Sequence, residues 1–215
     1  MVFPDKKLIF LLPPKCGTSS FTSLIKESTS LDFSKNTLGR HALLSQMVKY
    51  YDIKDLQNYK IYQLCRHPLD KLTSSFYYHK TPKGGNPWKN TKLYNFNETL
   101  EIVLPHVPVL PNYGLFYRGI RNGSRIGFKV RHLFYAPQTN WNDLNADVEY
   151  LKLEDLIQDT SKLSLILKED IPHRFPNKNK GTKRPSISYL ETYTKENLEL
   201  AYKVYEKDFE ILGYN

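Results

Sequence analysis

The sequence predicts an α/β protein, with a mostly parallel central sheet flanked by helices in three layers, and three observations carry that reading. Short strand-like runs, "KLIFLL" at 7–12, "KIYQLC" at 60–65 and the start of "VEYLKLEDL" at 148–156, alternate with stretches of helical apolar spacing. Strands joined by crossover helices leave that signature. The 215 residues are 40% hydrophobic and 25% charged, which suits one ordinary globular domain spanning 1–215. Finally, the first apolar run turns at Pro13 and Pro14 into Lys15-Cys16-Gly17-Thr18-Ser19-Ser20. Strand, tight turn and helix start form a corner that proteins use to hold anions.

Each element follows from local chemistry. Strand one is expected over 7–12 and a helix from about Thr18 to Lys26. "HALLSQMVKYY", residues 41–51, has helical spacing that starts at His41. The run 60–65 reads as a buried strand ending at Arg66, and Pro68 then opens "LDKLTSSFYYHK" as a helix. Residues 80–92, "KTPKGGNPWKNTK", form a basic Pro/Gly loop, either a lid or a solvated connection. "NFNETLEIVLP" is a short helix, whereas 112–132 carries no readable period. "VEYLKLEDL" is a strand running into a turn. "DTSKLSLILKED" is a helix capped by Asp159 or Thr160. A long terminal helix, capped by Thr194, covers "TKENLELAYKVYEKDFEILGY".

Composition narrows the functional classes. A net charge of +9 favours anionic partners: phosphate, sulfate, acidic polysaccharide, nucleic acid or a membrane surface. The 16 Tyr and 11 Phe suit sugar or nucleotide contact, or simply a Tyr-rich core rim. Cys16 and Cys65, the only two cysteines, imply no disulfide framework and are expected as reduced thiols. No apolar run approaches the roughly 20 residues of a membrane span. "LIFLL" lacks the cleavage pattern of a signal peptide, so the expected location is cytoplasmic.

In sheets of this kind ligands sit at the carboxyl ends of strands, where the Lys15 corner falls. Gly17 lets backbone approach an oxyanion closely. Thr18, Ser19 and Ser20 offer hydroxyls and first-turn N–H groups, the helix adds the positive end of its dipole, and Lys15 adds a full charge. A magnesium-nucleotide loop needs G-x-x-x-x-G-K-[ST]. Here the lysine precedes the only glycine, which disfavours an ATP-dependent kinase.

"PPKCGTSSF" resembles the 5′-phosphosulfate loop of sulfotransferases that use 3′-phosphoadenosine 5′-phosphosulfate (PAPS). A second motif strengthens the likeness. "CRHPLDKLTSSFYYH", residues 65–79, resembles that family's 3′-phosphate segment, with Arg66, Pro68, Lys71, Ser74 and Phe76 in the matching places. An arginine fork and a hydroxyl converging on one space would hold a phosphate. "YLKLEDLIQD", "HLFYAPQTNW" and "VYEKDFEILGY" resemble further segments of the Golgi carbohydrate sulfotransferases, whose membrane anchor and disulfide set have no counterpart in this sequence. "NKNKGTKRPS" resembles the late basic loop that closes over the 3′-phosphate, which would make Lys183 and Arg184 nucleotide ligands; the alternative is a solvated charge run.

The resemblance implies a P-loop-like sulfotransferase fold. It also implies PAPS as co-substrate, held by Lys15, Cys16, Gly17, Thr18, Ser19, Ser20, Arg66, Ser74, Lys183 and Arg184. Transfer of the sulfuryl group to a hydroxyl, on a carbohydrate, builds negative charge on the bridging oxygen, which Lys15 and the loop N–H groups would stabilise. No metal is expected, since no metal-ligand spacing occurs. The acceptor needs a base, and His41 leads: related glycosaminoglycan sulfotransferases carry a catalytic histidine in the same interval, and a helix start favours neutral imidazole. His132, Glu27 and Glu154 are the alternatives. Two rival classes are a P-loop-like nucleotide kinase and a non-catalytic basic module for nucleic acid or polyanion. The sulfotransferase reading expects no nucleic-acid partner and no stable membrane insertion.

Overall fold

In the computed structural model the described residues are 1–34, 36, 38–79, 95–107, 115–121, 124–130, 134–176 and 188–214. In chain order the elements are β1 (Val2–Phe3), β2 (Leu8–Leu11), α1 (Thr18–Ser28), α2 (Leu44–Tyr50), β3 (Lys60–Cys65), α3 (Pro68–His79), α4 (Phe96–Val103), β4 (Leu115–Arg121), β5 (Ser124–Val130), β6 (Glu149–Lys152), α5 (Leu153–Gln158), α6 (Ser161–Leu167), α7 (Lys195–Val204) and α8 (Glu206–Leu212). They group into two units, Met1–Arg66 with Gln138–Lys180, and His67–Pro137 with Gly181–Asn215.

The first unit holds a four-stranded sheet in the order β1-β2-β3-β6. β2, β3 and β6 run parallel, and only the two-residue β1 is antiparallel. Leu11 pairs with Gln63, and Cys65 pairs with Lys152. The chain therefore leaves all three parallel strands from the same edge. One sheet face, with Phe10, Tyr62, Leu64 and Leu151, packs with Phe21, Leu24 and Ile25 of α1 and Leu163 and Leu167 of α6. The helical spacing of Phe21, Leu24 and Ile25 turns one stripe of α1 inward. Phe10 stacks on Tyr62 at 5.6 Å and meets Phe21 at 5.2 Å. Each such buried side chain contributes about 1.5–3 kcal/mol.

The second unit has its own core, in which Leu69, Leu72 and Phe76 of α3 meet Phe96, Leu100 and Val103 of α4 and Ala201, Tyr205 and Phe209 near the carboxyl end. Tyr77, Tyr78, Tyr189, Tyr193 and Tyr214 pack against that core, so much of the tyrosine content belongs to its rim. β4 and β5 form an antiparallel hairpin inside the stretch where the sequence shows no period.

Two helical expectations need correction. The terminal helix is not continuous: α7 ends and α8 begins at Tyr205, whose backbone leaves helical geometry (φ −107°, ψ 17°). The Tyr205 hydroxyl donates to the Tyr135 carbonyl at 2.5 Å and the ring is buried. That tertiary anchor overrides a uniform helical pattern. Thr194 does cap α7, accepting from the Asn197 N–H. The second correction is that α2 starts at Leu44, three residues after His41. A helix from His41 would need the His41 carbonyl to accept the Ser45 N–H. Instead the Trp141 indole donates to that carbonyl at 3.1 Å, and the Ser45 N–H donates to Asp143 at 2.9 Å. At α6, the Asp159 carboxylate accepts from the Ser161 N–H at 2.8 Å and from its hydroxyl, which holds the Asp159 carboxyl below its usual pKa.

Candidate functional site

The loop between β2 and α1 has two residues in left-handed geometry, Lys15 (φ +68°) and Gly17 (φ +74°). At Gly17 the left-handed backbone favours glycine, and Leu153 would have to shift to admit any Cβ. A side chain there would be strained, and its Cβ would lie 2.5 Å from Leu153 Cδ1. Gly17 is also the N-cap of α1, and no side chain caps that end. The helical ladder begins with the Phe21 N–H donating to the Gly17 carbonyl, so the N–H groups of Thr18, Ser19 and Ser20 precede it. The Thr18 hydroxyl donates to the Pro13 carbonyl at 3.0 Å and closes the loop on itself. The hydroxyl proton is thereby used within the loop, and the backbone N–H stands in the first turn of α1. Cys16 turns its thiol into the core, where it donates to Gln138 Oε1 at 2.9 Å.

Arg66, the residue after β3, lies against this loop. Its Nη1 donates to the Lys15 carbonyl at 3.1 Å. Its N–H donates to Gln138 Oε1 at 2.8 Å, and its carbonyl accepts from Gln138 Nε2 at 2.8 Å. Gln63 in turn donates from Nε2 to the Gln138 carbonyl at 2.9 Å. Two cations thus share one corner of the sheet edge. Burial, first, and the neighbouring Arg66 charge lower the Lys15 pKa from 10.5 to about 8. A site that destabilises its own positive charge is one that an anion would relieve.

His41 is half-buried, and its Nδ1 donates to the Leu12 carbonyl at 2.7 Å. A carbonyl can only accept, so the proton of the neutral ring sits on Nδ1 and Nε2 is the basic nitrogen. With α2 starting at Leu44, the helix-start argument for a neutral imidazole does not apply; the Leu12 contact fixes the tautomer instead. Glu27 is exposed near the far end of α1, about 14 Å along the helix axis from the loop at 1.5 Å per residue. Glu154 stands in the first turn of α5, directly after the β6 edge.

In the second unit, α3 carries "TSS" at 73–75 in two different settings. Thr73 and Ser75 are buried and bonded to the Leu69, Lys71 and Phe134 carbonyls. Ser74 between them is partly exposed. Lys71 matches the motif but serves packing: it is 1% exposed and donates to the Phe134 and Ala136 carbonyls at 3.0 and 2.8 Å. His67 packs against the rings of Tyr189, Phe209 and Tyr214. His132, Lys183, Arg184 and the basic stretches 80–92 and 177–186 lie outside the described residues.

Gln138 is the residue that site prediction from the sequence missed. Its signal was the Pro-Gln pair in "HLFYAPQTNW", which marks a likeness but not a role. Both cysteines are free thiols, as expected. Among the described residues no helix is long and apolar enough to cross a membrane.

A parallel sheet edge carrying a glycine-cornered loop, a helix start with no side-chain cap and two neighbouring basic residues makes this an α/β protein whose strand edge is suited to an anionic ligand. The model of the sulfotransferase family matches residues 1–215, and the chain belongs to that family. Searches of curated proteins and of solved structures found no match. The protein is a sulfotransferase, an enzyme that moves a sulfonate group from a donor to a hydroxyl-bearing acceptor.

Proposed function

We propose that the donor is PAPS, that the acceptor hydroxyl is on a carbohydrate, and that residues 1–215 act as one catalytic domain. The observation that carries the donor assignment is the juxtaposition of Lys15 and Arg66, the charged residues of the two motifs, at one strand edge. In this reading Lys15 and the N–H groups of Cys16, Gly17, Thr18, Ser19 and Ser20 hold the 5′ anion, and Arg66 holds the 3′-phosphate. Ser74, Lys183 and Arg184 enter through sequence resemblance alone. The donor supplies a sulfuryl group on a phosphate leaving group. Lys15 steadies the negative charge that grows on the bridging oxygen.

His41 is the proposed base. Its Nδ1–H is held by the Leu12 carbonyl, so Nε2 takes the proton from the acceptor hydroxyl as the new O–S bond forms and the S–O bond to the leaving phosphate breaks. A net charge of +9 favours an acidic sugar chain as acceptor. The test is a melting scan with adenosine 3′,5′-bisphosphate, followed by an acceptor screen with labelled PAPS over glycans, lipids and small alcohols. A ligand that binds only the folded state raises Tm. No shift at millimolar nucleotide sinks the donor assignment; label transferred only to lipids or small alcohols sinks the carbohydrate.

A further inference from the structure

We propose that Gln138 is a positioning residue that locks the Arg66 peptide to the Lys15–Gly17 loop, so that the nucleotide cradle is assembled before ligand arrives. The proposal rests on the PAPS reading and adds a residue to it. Gln138 is fully buried and its side-chain amide is shared among three partner groups. Oε1 accepts from the Arg66 N–H at 2.8 Å and from the Cys16 thiol at 2.9 Å, while Nε2 donates to the Arg66 carbonyl at 2.8 Å. An amide pairing with both the N–H and the C=O of one residue substitutes for a strand neighbour. It holds Arg66 at fixed height and direction just where β3 has ended. Through Oε1 the same amide reaches Cys16, the residue between the two left-handed positions of the loop. One side chain therefore fixes both anion-binding corners relative to each other.

The backbone of Gln138 is fixed in its turn. The Gln63 side chain, within β3, donates to the Gln138 carbonyl at 2.9 Å. Three residues on, the Trp141 indole donates to the His41 carbonyl at 3.1 Å. The short helical turn Gln138–Trp141 thus bears on the nucleotide cradle at one end and on the proposed base at the other. Preorganisation of this kind matters because a binding group displaced by about 1 Å gives up far more affinity than so small a movement suggests.

The test uses the full chain. Gln138→Met keeps length and bulk and removes the donor and the strong acceptor. Binding of adenosine 3′,5′-bisphosphate is measured by calorimetry well below the melting temperature, with donor KM and kcat alongside. The expected result is a Kd and a donor KM weakened about tenfold or more, the scale for removing buried hydrogen bonds, with kcat changed less. The control is Leu163→Ala, a change in α6 that lowers Tm through the shared core and removes none of the Gln138, Arg66 and Cys16 hydrogen bonds; it should bind nucleotide within about twofold of the parent. If Gln138→Met binds within twofold of the parent, or if Leu163→Ala weakens binding as much, the role of Gln138 falls while the PAPS reading stands. If the parent itself does not bind the nucleotide, both fall. Should Gln138→Met not fold, Gln138→Glu answers in its place. It keeps an acceptor for the Arg66 N–H and removes the donor to the Arg66 carbonyl, and the same tenfold criterion decides.

Discussion

Arg66 donates from Nη1 to the carbonyl oxygen of Lys15 at 3.1 Å, across 51 residues of sequence. The bond joins two motifs that the sequence offers separately, and it holds the guanidinium against the loop backbone. Arg66→Ala removes that bond and one of two adjacent cations. The expected outcome is a 10- to 100-fold weaker Kd for adenosine 3′,5′-bisphosphate, since charged hydrogen bonds contribute about 1.5–3 kcal/mol. Calorimetry checks it, and saturating donor should restore much of kcat.

Lys15 gives the site a pH dependence. Its pKa is lowered to about 8 by burial and by Arg66. Below pH 8 the lysine is charged in both folded and unfolded chains, and the folded state bears the full cost of burying it. As pH rises from about 8 to 10.5, the folded chain loses the proton first, so the cost fades and stability gains. Binding runs the other way: an anion prefers charged Lys15, so nucleotide affinity falls above pH 8. Lys15→Met should abolish turnover, flatten the affinity profile over that window and remove its share of the stability gain. Melting and calorimetry from pH 7 to 10.5, parent against variant, check all three.

Much of this was legible in the sequence. The strand at 60–65, the strand inside "VEYLKLEDL", the Lys15 corner and the Thr194 cap follow from local patterns, because apolar spacing, glycine and capping residues act over a few neighbours; the turn expected after that second strand is instead the helix α5. What the sequence hid depends on partners far along the chain. α2 begins late because Trp141 and Asp143 take the groups that its first turn would use. The terminal helix breaks where Tyr205 reaches Tyr135. Lys71 fits a phosphate motif by spacing, yet two carbonyls from 134–136 claim it. Gln138 looks like any polar loop residue until its buried amide is seen bridging Arg66 and Cys16.

Gly17 offers a test of the loop's construction. Gly17→Ala forces a Cβ into left-handed backbone and against Leu153 Cδ1 at 2.5 Å. The backbone part costs about 1–2 kcal/mol, and the clash adds to it unless Leu153 moves. A fall in Tm of about 3–10 °C is expected for a chain of this size. In a Leu153→Ala background the steric part vanishes and the backbone part stays. Gly17→Ala should then cost about 1 kcal/mol less in a double-mutant cycle, and equal costs in the two backgrounds would show that Leu153 does not confine the loop.

The assignment of His41 makes the sharpest demand on kinetics. Its ring is held on one side by the Leu12 carbonyl and its backbone by the Trp141 indole. The first contact sets which nitrogen is basic; the second sets where the ring stands. His41→Ala should lower kcat by about 10²–10⁴-fold, the usual worth of a positioned base, while the Kd for adenosine 3′,5′-bisphosphate stays within about threefold because the ring is not assigned to the nucleotide. His41→Gln keeps a donor for the Leu12 carbonyl but cannot take up a proton near neutral pH, so it should be nearly as slow as alanine. Trp141→Phe keeps the buried ring and removes only the indole donor. It should leave nucleotide binding intact and lower kcat by a smaller factor, about tenfold, through a displaced His41. Steady-state rates and nucleotide binding on the same preparations separate the cases. Near-normal turnover in His41→Ala would move the proton acceptor elsewhere, with Glu154 at the β6 edge the next residue to substitute, and would leave the Lys15 and Arg66 assignments untouched.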